Sequence, residues 1–352
     1  MNKTTKDFED EQKGVYAALR RAGLKAKQEA ESLGTPYVVA DEKDSAAEAC
    51  LSQKQKGKLR MKTIFELVKV VLDELYEETK NMHASEVETD KAIIDKMNYL
   101  SKKYTQLTDK SSTVIDYKDS ATRFAYVYKY VASHADYLNQ ILRKLIKDKD
   151  VALKDVFMKD SLRVSCIGGG PGSDIVGMLK YLLSLNKQNN KVICYLCDQE
   201  QAWADSWTEI GEQMSSENFS LNTNFQQLDV TNSQSWKYQK KFLDADIFTL
   251  SYFVSEVSRF DAGDTNEFWE ALFSKAKKGA VFIFVDNAHT NFTKYFDEKW
   301  GAHTIKAIAS GDAEVTPSSN EQLSVFGGYL TKFPNNKPKL KSQISYRILI
   351  KE

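Results

Sequence analysis

The sequence predicts an α/β domain, a parallel sheet wound on both faces by helices, behind an N-terminal helical region. Three observations predict it. The apolar run Val164–Ile167 leads straight into the glycine turn Gly168-Gly-Gly-Pro-Gly172, and Ile175, Val176, Met178, Leu179, Leu182 and Leu183 follow at helical spacing. After that unit, apolar runs of strand length alternate with helical patterns to the end of the chain. Between residues 61 and 148, by contrast, apolar positions recur every three or four residues. Strand-length runs interleaved with helices form parallel sheets, and a purely 3.6-residue period forms helices.

The chain has 352 residues, 42% of them hydrophobic, enough for a full core and for two domains. Its 49 basic residues equal its 49 acidic ones, so no overall charge draws it to nucleic acid or to an acidic membrane. No apolar run reaches the ~18 residues of a membrane span, and the N-terminus is too polar for a secretion signal. No membrane partner is expected. The four cysteines lack metal spacing as a set. Cys194 and Cys197 form C-x-x-C, but strand alternation sends them to opposite faces, which disfavours zinc or a redox pair. Free thiols fit a cytoplasmic location.

In chain order, residues 1–35 read as a charged helix with a modest apolar stripe, and 41–58 as a linker. Residues 1–60 are thus expected to be an appended arm, available for self-association or a protein partner. Residues 61–158 are expected to be a helical lid or substrate domain. One face of its first helix carries Ile64, Leu67, Val68, Val71, Leu72 and Leu75; a second helix carries Ile93, Met97, Leu100 and Tyr104. A polar break at 109–113 follows, then an aromatic-rich helix. Tyr117, Tyr126, Tyr128, Tyr130 and Tyr137 accompany Arg123, Lys129 and His134 there. Packed against the sheet, this helix is structural. Over the site, Tyr126 and Tyr130 would form a lid, with Arg123 meeting a carboxylate or phosphate.

Residues 159–352 carry the sheet. Its second strand runs from Lys191 to Cys197 and ends at Asp198; its third, Phe225–Val230, contains Asp229. The fourth, Ala245–Ser251, leads into Tyr252-Phe-Val-Ser-Glu256, and the fifth, Gly279–Val285, into Asp286-Asn287-Ala-His289. Extended pieces at Gln322–Tyr329 and Gln343–Ile350 are expected to close the sheet as a hairpin.

Glycine spacing separates two cofactor types. Dinucleotide sites read G-x-G-x-x-G/A, but Ser173 stands at the third position. The pattern present is G-x-G-x-G, at Gly168, Gly170 and Gly172. With the acids after the second and third strands and the closing pair, it resembles the class I S-adenosylmethionine (SAM)-dependent methyltransferases over roughly 160–352. The resemblance implies a Rossmann-like seven-stranded sheet with SAM as cofactor. It implies Gly168, Gly169, Gly170 and Gly172 under the cofactor, Asp198 on its ribose, and Asp229 with Val230 at its adenine. Ser251 would close the site at the fourth strand. One departure stands out: Cys166 occupies the family's acidic position before the glycines, and Asp174 is the candidate to replace its contact.

The acceptor must then meet the methyl group near 251–256 and 286–289. Glu256, His289 and Tyr252 are the candidate catalytic groups, with Asp286 and Asn287 on the acceptor side. Glu256 as a helix cap and His289 as a surface turn are the structural alternatives. No Asn-Pro-Pro-Tyr type motif and no cysteine follows the fourth strand, which disfavours exocyclic-amine and covalent pyrimidine chemistry. The phrases CIGGGPGSD, AYVYKY and SYFVSEV together resemble ribosomal-RNA uridine N3 methyltransferase-like proteins. An RNA or other nucleobase acceptor is the first expectation. A small-molecule or protein acceptor, or a non-catalytic binding partner of the same fold, stays open.

Overall fold

A computed structural model describes residues 62–107, 115–147, 151–185, 191–215, 220–260 and 262–352. The arm expected at 1–60 and the polar break at 109–113 lie outside these residues. Lys62–Glu352 form one compact unit.

Among the described residues, five helices precede the sheet. Helix α1 (Ile64–Lys80) starts with a capping box between Thr63 and Glu66 and buries its whole predicted stripe. Helix α2 (Glu86–Tyr104) is capped by Ser85 and buries Ile93, Met97 and Leu100. Helices α3 (Ser120–Tyr126) and α4 (Ala132–Lys147) are continuous through a π-helical stretch at Val127–Val131. Helix α5 (Val151–Phe157) leads into the sheet.

Strands β1 (Ser161–Ile167), β2 (Lys191–Asp198), β3 (Ser220–Gln227), β4 (Ile247–Ser251), β5 (Val281–Asn287), β6 (Ile305–Val315) and β7 (Ser342–Lys351) form one sheet. Their order is β3-β2-β1-β4-β5-β7-β6. All neighbours are parallel except β7, which runs antiparallel to both β5 and β6. The order reverses between β1 and β4, and a ligand crevice opens at the C-terminal ends there. The connecting helices are α6 (Ser173–Ser184), α7 (Trp203–Ser215), α8 (Val254–Val257), α9 (Gly263–Lys275), α10 (Thr290–Gly301) and α11 (Gly328–Lys332).

Strand alternation divides the core in two. Val281, Ile283 and Val285 of β5 join the core shared with α1, α4, α6 and α7, whereas Phe282 and Phe284 join the one shared with α9 and α10. Cys194 and Cys197 divide in the same way, both fully buried. Helices α4 and α6 pack so closely that a Cβ at Gly177 would lie 2.4 Å from the Ala135 carbonyl oxygen.

Two strand expectations need correction. The sixth strand is Ile305–Val315, not Gln322–Tyr329, whose residues form a 3-10 turn and the start of α11. The segment 305–315 alternates small and charged residues, so its apolar signal is weak: it is an edge strand, with half its surface open. The third strand is Ser220–Gln227 and stops short of Asp229. Its polar edge sequence, SLNTNFQQ, hid its first half.

Candidate active site

The site is built where β1, β2 and β4 end. After Ile167 the chain turns through Gly168, Gly170 and Gly172, all with positive φ (65°, 47° and 86°). Only glycine takes these angles without strain. The Gly169 N–H donates to the Cys197 carbonyl (3.1 Å), and that of Gly172 to the Gly169 carbonyl (2.8 Å), which tightens the turn against β2. Phe253 and Trp207 press on it from either side: a Cβ at Gly168 would come within 2.3 Å of the Phe253 ring, and one at Gly172 within 2.3 Å of Trp207.

The turn floors a cleft of about 1170 Å³, open mouth included. Asp198, Trp203, Leu228–Val230, Ser251–Phe253 and Glu256 line it from the sheet; Lys103, Leu107, Ile115, Tyr117 and Tyr126 line it from the helical side. Asp198 accepts from Gly170 N–H (2.8 Å) through Oδ2 and from Glu200 N–H (3.0 Å) through Oδ1. Burial pushes its pKa up to about 6, against those hydrogen bonds. Asp229 is part of a small turn, accepting from Thr231 N–H (2.9 Å) and Oγ1 (2.7 Å). Val230 gives the adjoining apolar wall.

Asp174 lies beneath the turn, 2% exposed and outside the cleft lining. Burial pushes its pKa up to about 6, with Thr249, Ser173 and Ser251 opposing. Its Oδ2 and the hydroxyls of Thr249 and Ser251 are buried without a hydrogen-bond partner among the described residues. Unspent polar atoms below a glycine cradle suit the charged amino-acid end of a cofactor.

Tyr252 holds a left-handed backbone (φ 56°), anchored by its N–H to the Val285 carbonyl (2.7 Å). Its ring stacks on His134, centroids 3.5 Å apart and planes 10° from parallel. Burial keeps His134 well below the usual imidazole range, hence neutral. Glu256, at the next turn, accepts from the Tyr104 hydroxyl (3.1 Å). Burial, then the Asp198 charge, pushes its carboxyl up to about 7.

Other expected site residues lie elsewhere. Arg123 is 3% exposed and does not line the cleft; it donates to the Tyr117 and Lys118 carbonyls and pairs with Glu78. Its guanidinium fastens the 117–118 segment to α1, so it is not a substrate clamp. Asp286 is fully buried and holds the turn after β4 by accepting from Ser255 N–H (2.9 Å). It also accepts from the backbone of Asn287, and neither residue lines the cleft. Burial pushes Asp286 up to about 6. His289 caps α10 through Nδ1, which accepts from Asn291 N–H (3.2 Å), and it is exposed and outside the cleft. Tyr130 stands behind Tyr126, ring centroids 5.5 Å apart, and outside the lining. The sequence reading missed Tyr104, Tyr117 and Trp203 as one group, and Phe253. Tyr104 read only as one apolar position of its helix. Trp203 lies five residues past Asp198, where a βα loop enters its helix, and that position was the available signal.

A seven-stranded sheet in this order, with its one antiparallel strand next to last, a glycine-turn cradle and a strand-end acid defines the class I methyltransferases. Among known families, a model described as "Putative SAM-dependent methyltransferase" matches residues 115–294. That is just over half of the chain, and the chain belongs to this family. Its cofactor is SAM. The match begins at the 115–117 segment that walls the cleft and ends within α10, so it covers the glycine turn, Asp198, Asp229 and the 251–256 segment, while Lys103, Tyr104 and Leu107 lie before it. No curated protein matches. Among solved structures, the chain is similar to a "putative RNA methyltransferase" from Pyrococcus horikoshii, with 16% identity, 60% of this chain and 82% of that chain covered, and a TM-score of 0.35. It is likewise similar to an S-adenosylmethionine-dependent methyltransferase from Clostridium acetobutylicum, with 12% identity, 72% and 99% covered, and a TM-score of 0.35.

Proposed function

We propose that this enzyme methylates an RNA or other nucleobase acceptor, in a reducing cytoplasm that suits the buried thiols of Cys166, Cys194 and Cys197. One observation carries the acceptor reading. The flat rings of Tyr117, Tyr126, Trp203 and Phe253 wall the same cleft that Lys103 and Arg259 line. Aromatic faces receive a planar base by stacking, and cations receive its phosphates. Bound SAM supplies an electrophilic methyl on a sulfonium, whose charge is cancelled when the carbon–sulfur pair returns to sulfur. The protein's own residues do the rest. The glycine turn would let the backbone approach the cofactor, Asp198 would accept from its ribose hydroxyls, and Val230 and Asp229 would hold its adenine. Ser251 would meet the amino-acid end, with Asp174 buried behind it. The aromatic wall holds the acceptor in line, the main source of acceleration in a direct displacement. Glu256, ionisable near neutrality, takes the acceptor's proton as the new bond forms.

The experiment is a calorimetric titration with SAM, its demethylated product and NADH, followed by transfer of labelled methyl to RNA and to small-molecule acceptors. SAM and its product bind, NADH does not, and Asp198→Ala weakens SAM by about 1.5–3 kcal/mol, the scale of a lost charge-assisted hydrogen bond. Label enters RNA, less so as salt rises. Label entering only small molecules would reject the RNA reading and leave the enzyme class standing. No SAM binding at all would point to a fold kept for association alone.

A further inference from the structure

We propose that Tyr117 and Tyr104 are positioning residues: their hydroxyls, hydrogen-bonded in series, hold one oxygen of the Glu256 carboxyl and leave the other for the acceptor. The proposal rests on the reading of Glu256 as the group that takes the acceptor's proton.

Proton inventory sets the direction of the chain. Once ionised, Glu256 only accepts, so in that state the Tyr104 hydroxyl, 3.1 Å from Oε1, is the donor. That spends its only proton. The Tyr104 oxygen therefore accepts from the Tyr117 hydroxyl, 2.7 Å away. No other hydrogen bond reaches the Glu256 carboxyl among the described residues, so Oε2 is left for a ligand, and Glu256 lines the cleft.

The three groups come from distant parts of the chain: the end of α2, the segment before α3, and the turn after β4. Each phenol is held by rings. Tyr117 meets Tyr126 edge-on at 5.5 Å and Trp203 at 5.1 Å, and Tyr104 meets Tyr130 edge-on at 5.2 Å. Such packing fixes the hydroxyls before any ligand arrives.

Four ionisable neighbours act on the Glu256 carboxyl. Asp198 from the end of β2 and Asp286 from β5 raise its pKa; Tyr104 from α2 and Arg259 from the following turn lower it. Tyr117 and Tyr126 complete the facing surface, both held neutral by burial. Removing the Tyr104 hydroxyl takes away a donor to the charged form, so the Glu256 midpoint must rise. A ring that only filled space would leave it unchanged.

Infrared titration of the ligand-free protein reads this without an acceptor. The wild type is expected to show a protonated-carboxyl band that disappears near neutral pH and is missing in Glu256→Gln. Tyr104→Phe moves its midpoint up by about half a unit or more, and Tyr117→Phe by less in the same direction. SAM affinity stays within about twofold of wild type in both variants, since neither hydroxyl belongs to the cofactor cradle. A midpoint unmoved in Tyr104→Phe overturns the proposal; should that variant fail to fold, an unmoved Tyr117→Phe does so. Wild type that fails to bind SAM defeats the enzyme reading, while the titration still decides the hydroxyl chain.

Discussion

At the residue scale, three glycines and two rings set what can enter the cleft. Gly168 combines a positive φ with a neighbour, Phe253, that occupies the space of any Cβ. An alanine there meets both penalties: backbone strain of about 1 kcal/mol, and either a displaced Phe253 or a displaced turn. Gly168→Ala is therefore expected to lower stability by about 1–3 kcal/mol in urea unfolding and to weaken SAM at least tenfold by calorimetry. An alanine variant of wild-type affinity would show that the turn tolerates a side chain and that the cradle has been misplaced. Asp198 sits differently. Its two bonds to the backbone of Gly170 and Glu200 make it a brace for the cradle, beside its proposed ligand role. The places of the glycines and of Asp198 were readable from glycine spacing and strand ends. The roles of Arg123 and Asp286 were not, because a buried charge that ties backbone together has the same residue type as one that binds a ligand.

At the scale of elements, the connection between β6 and β7 does work that a hairpin would not. Its Glu321 is buried and caps α1 through both oxygens, accepting from Ile64 N–H (3.0 Å) and Phe65 N–H (3.1 Å). Further along, Lys339 N–H donates to the Lys129 carbonyl in the π-helical stretch (2.9 Å), and Leu340 accepts from the Tyr137 hydroxyl (2.6 Å). This strap ties the end of the chain to the helices before the sheet. The π turn it grips sets Tyr126 and Tyr130 side by side against Tyr104. Period counting assigned the helix there and could not assign the π turn, which changes spacing by one residue without changing residue type. Glu321→Gln keeps acceptor capacity at one oxygen and loses it at the other. It leaves one orphan N–H at a buried helix start, at a cost of about 1–2 kcal/mol. Urea unfolding checks this. A variant as stable as wild type would mean that water replaces the cap.

At the scale of the whole molecule, the parallel α/β sheet followed from the apolar runs, because buried parallel strands must be apolar on both sides. The β6 edge strand and the helical wall of the cleft did not follow. The first is half solvated, and the second is assembled from residues more than 100 positions apart in sequence, such as Tyr104 and Glu256. What assembly adds is a set of carboxyls with raised pKa at one end of the sheet: Asp174, Asp198 and Asp286 at about 6, Glu256 at about 7. Desolvation leads in all four. Their ordinary values are near 4, so each folded value lies above the unfolded one. The stability such a group contributes is fully present below its unfolded pKa and is lost as pH rises through the folded one. Neutral His134 has the opposite sign, losing stability as pH falls below its ordinary 6.5. Between pH 5 and pH 8, then, the unliganded protein gains charge it holds poorly. Glu256→Gln removes the group with the highest of these values and keeps the acceptor for Tyr104. It is expected to be near neutral for stability at pH 5 and stabilising by on the order of 1–2 kcal/mol at pH 8, after allowance for its partial exposure to the cleft. Denaturant unfolding of both proteins at the two pH values measures this. An equal difference at both would show that Glu256 is already ionised at pH 5, and that Tyr104 and Arg259 outweigh the burial of its carboxyl.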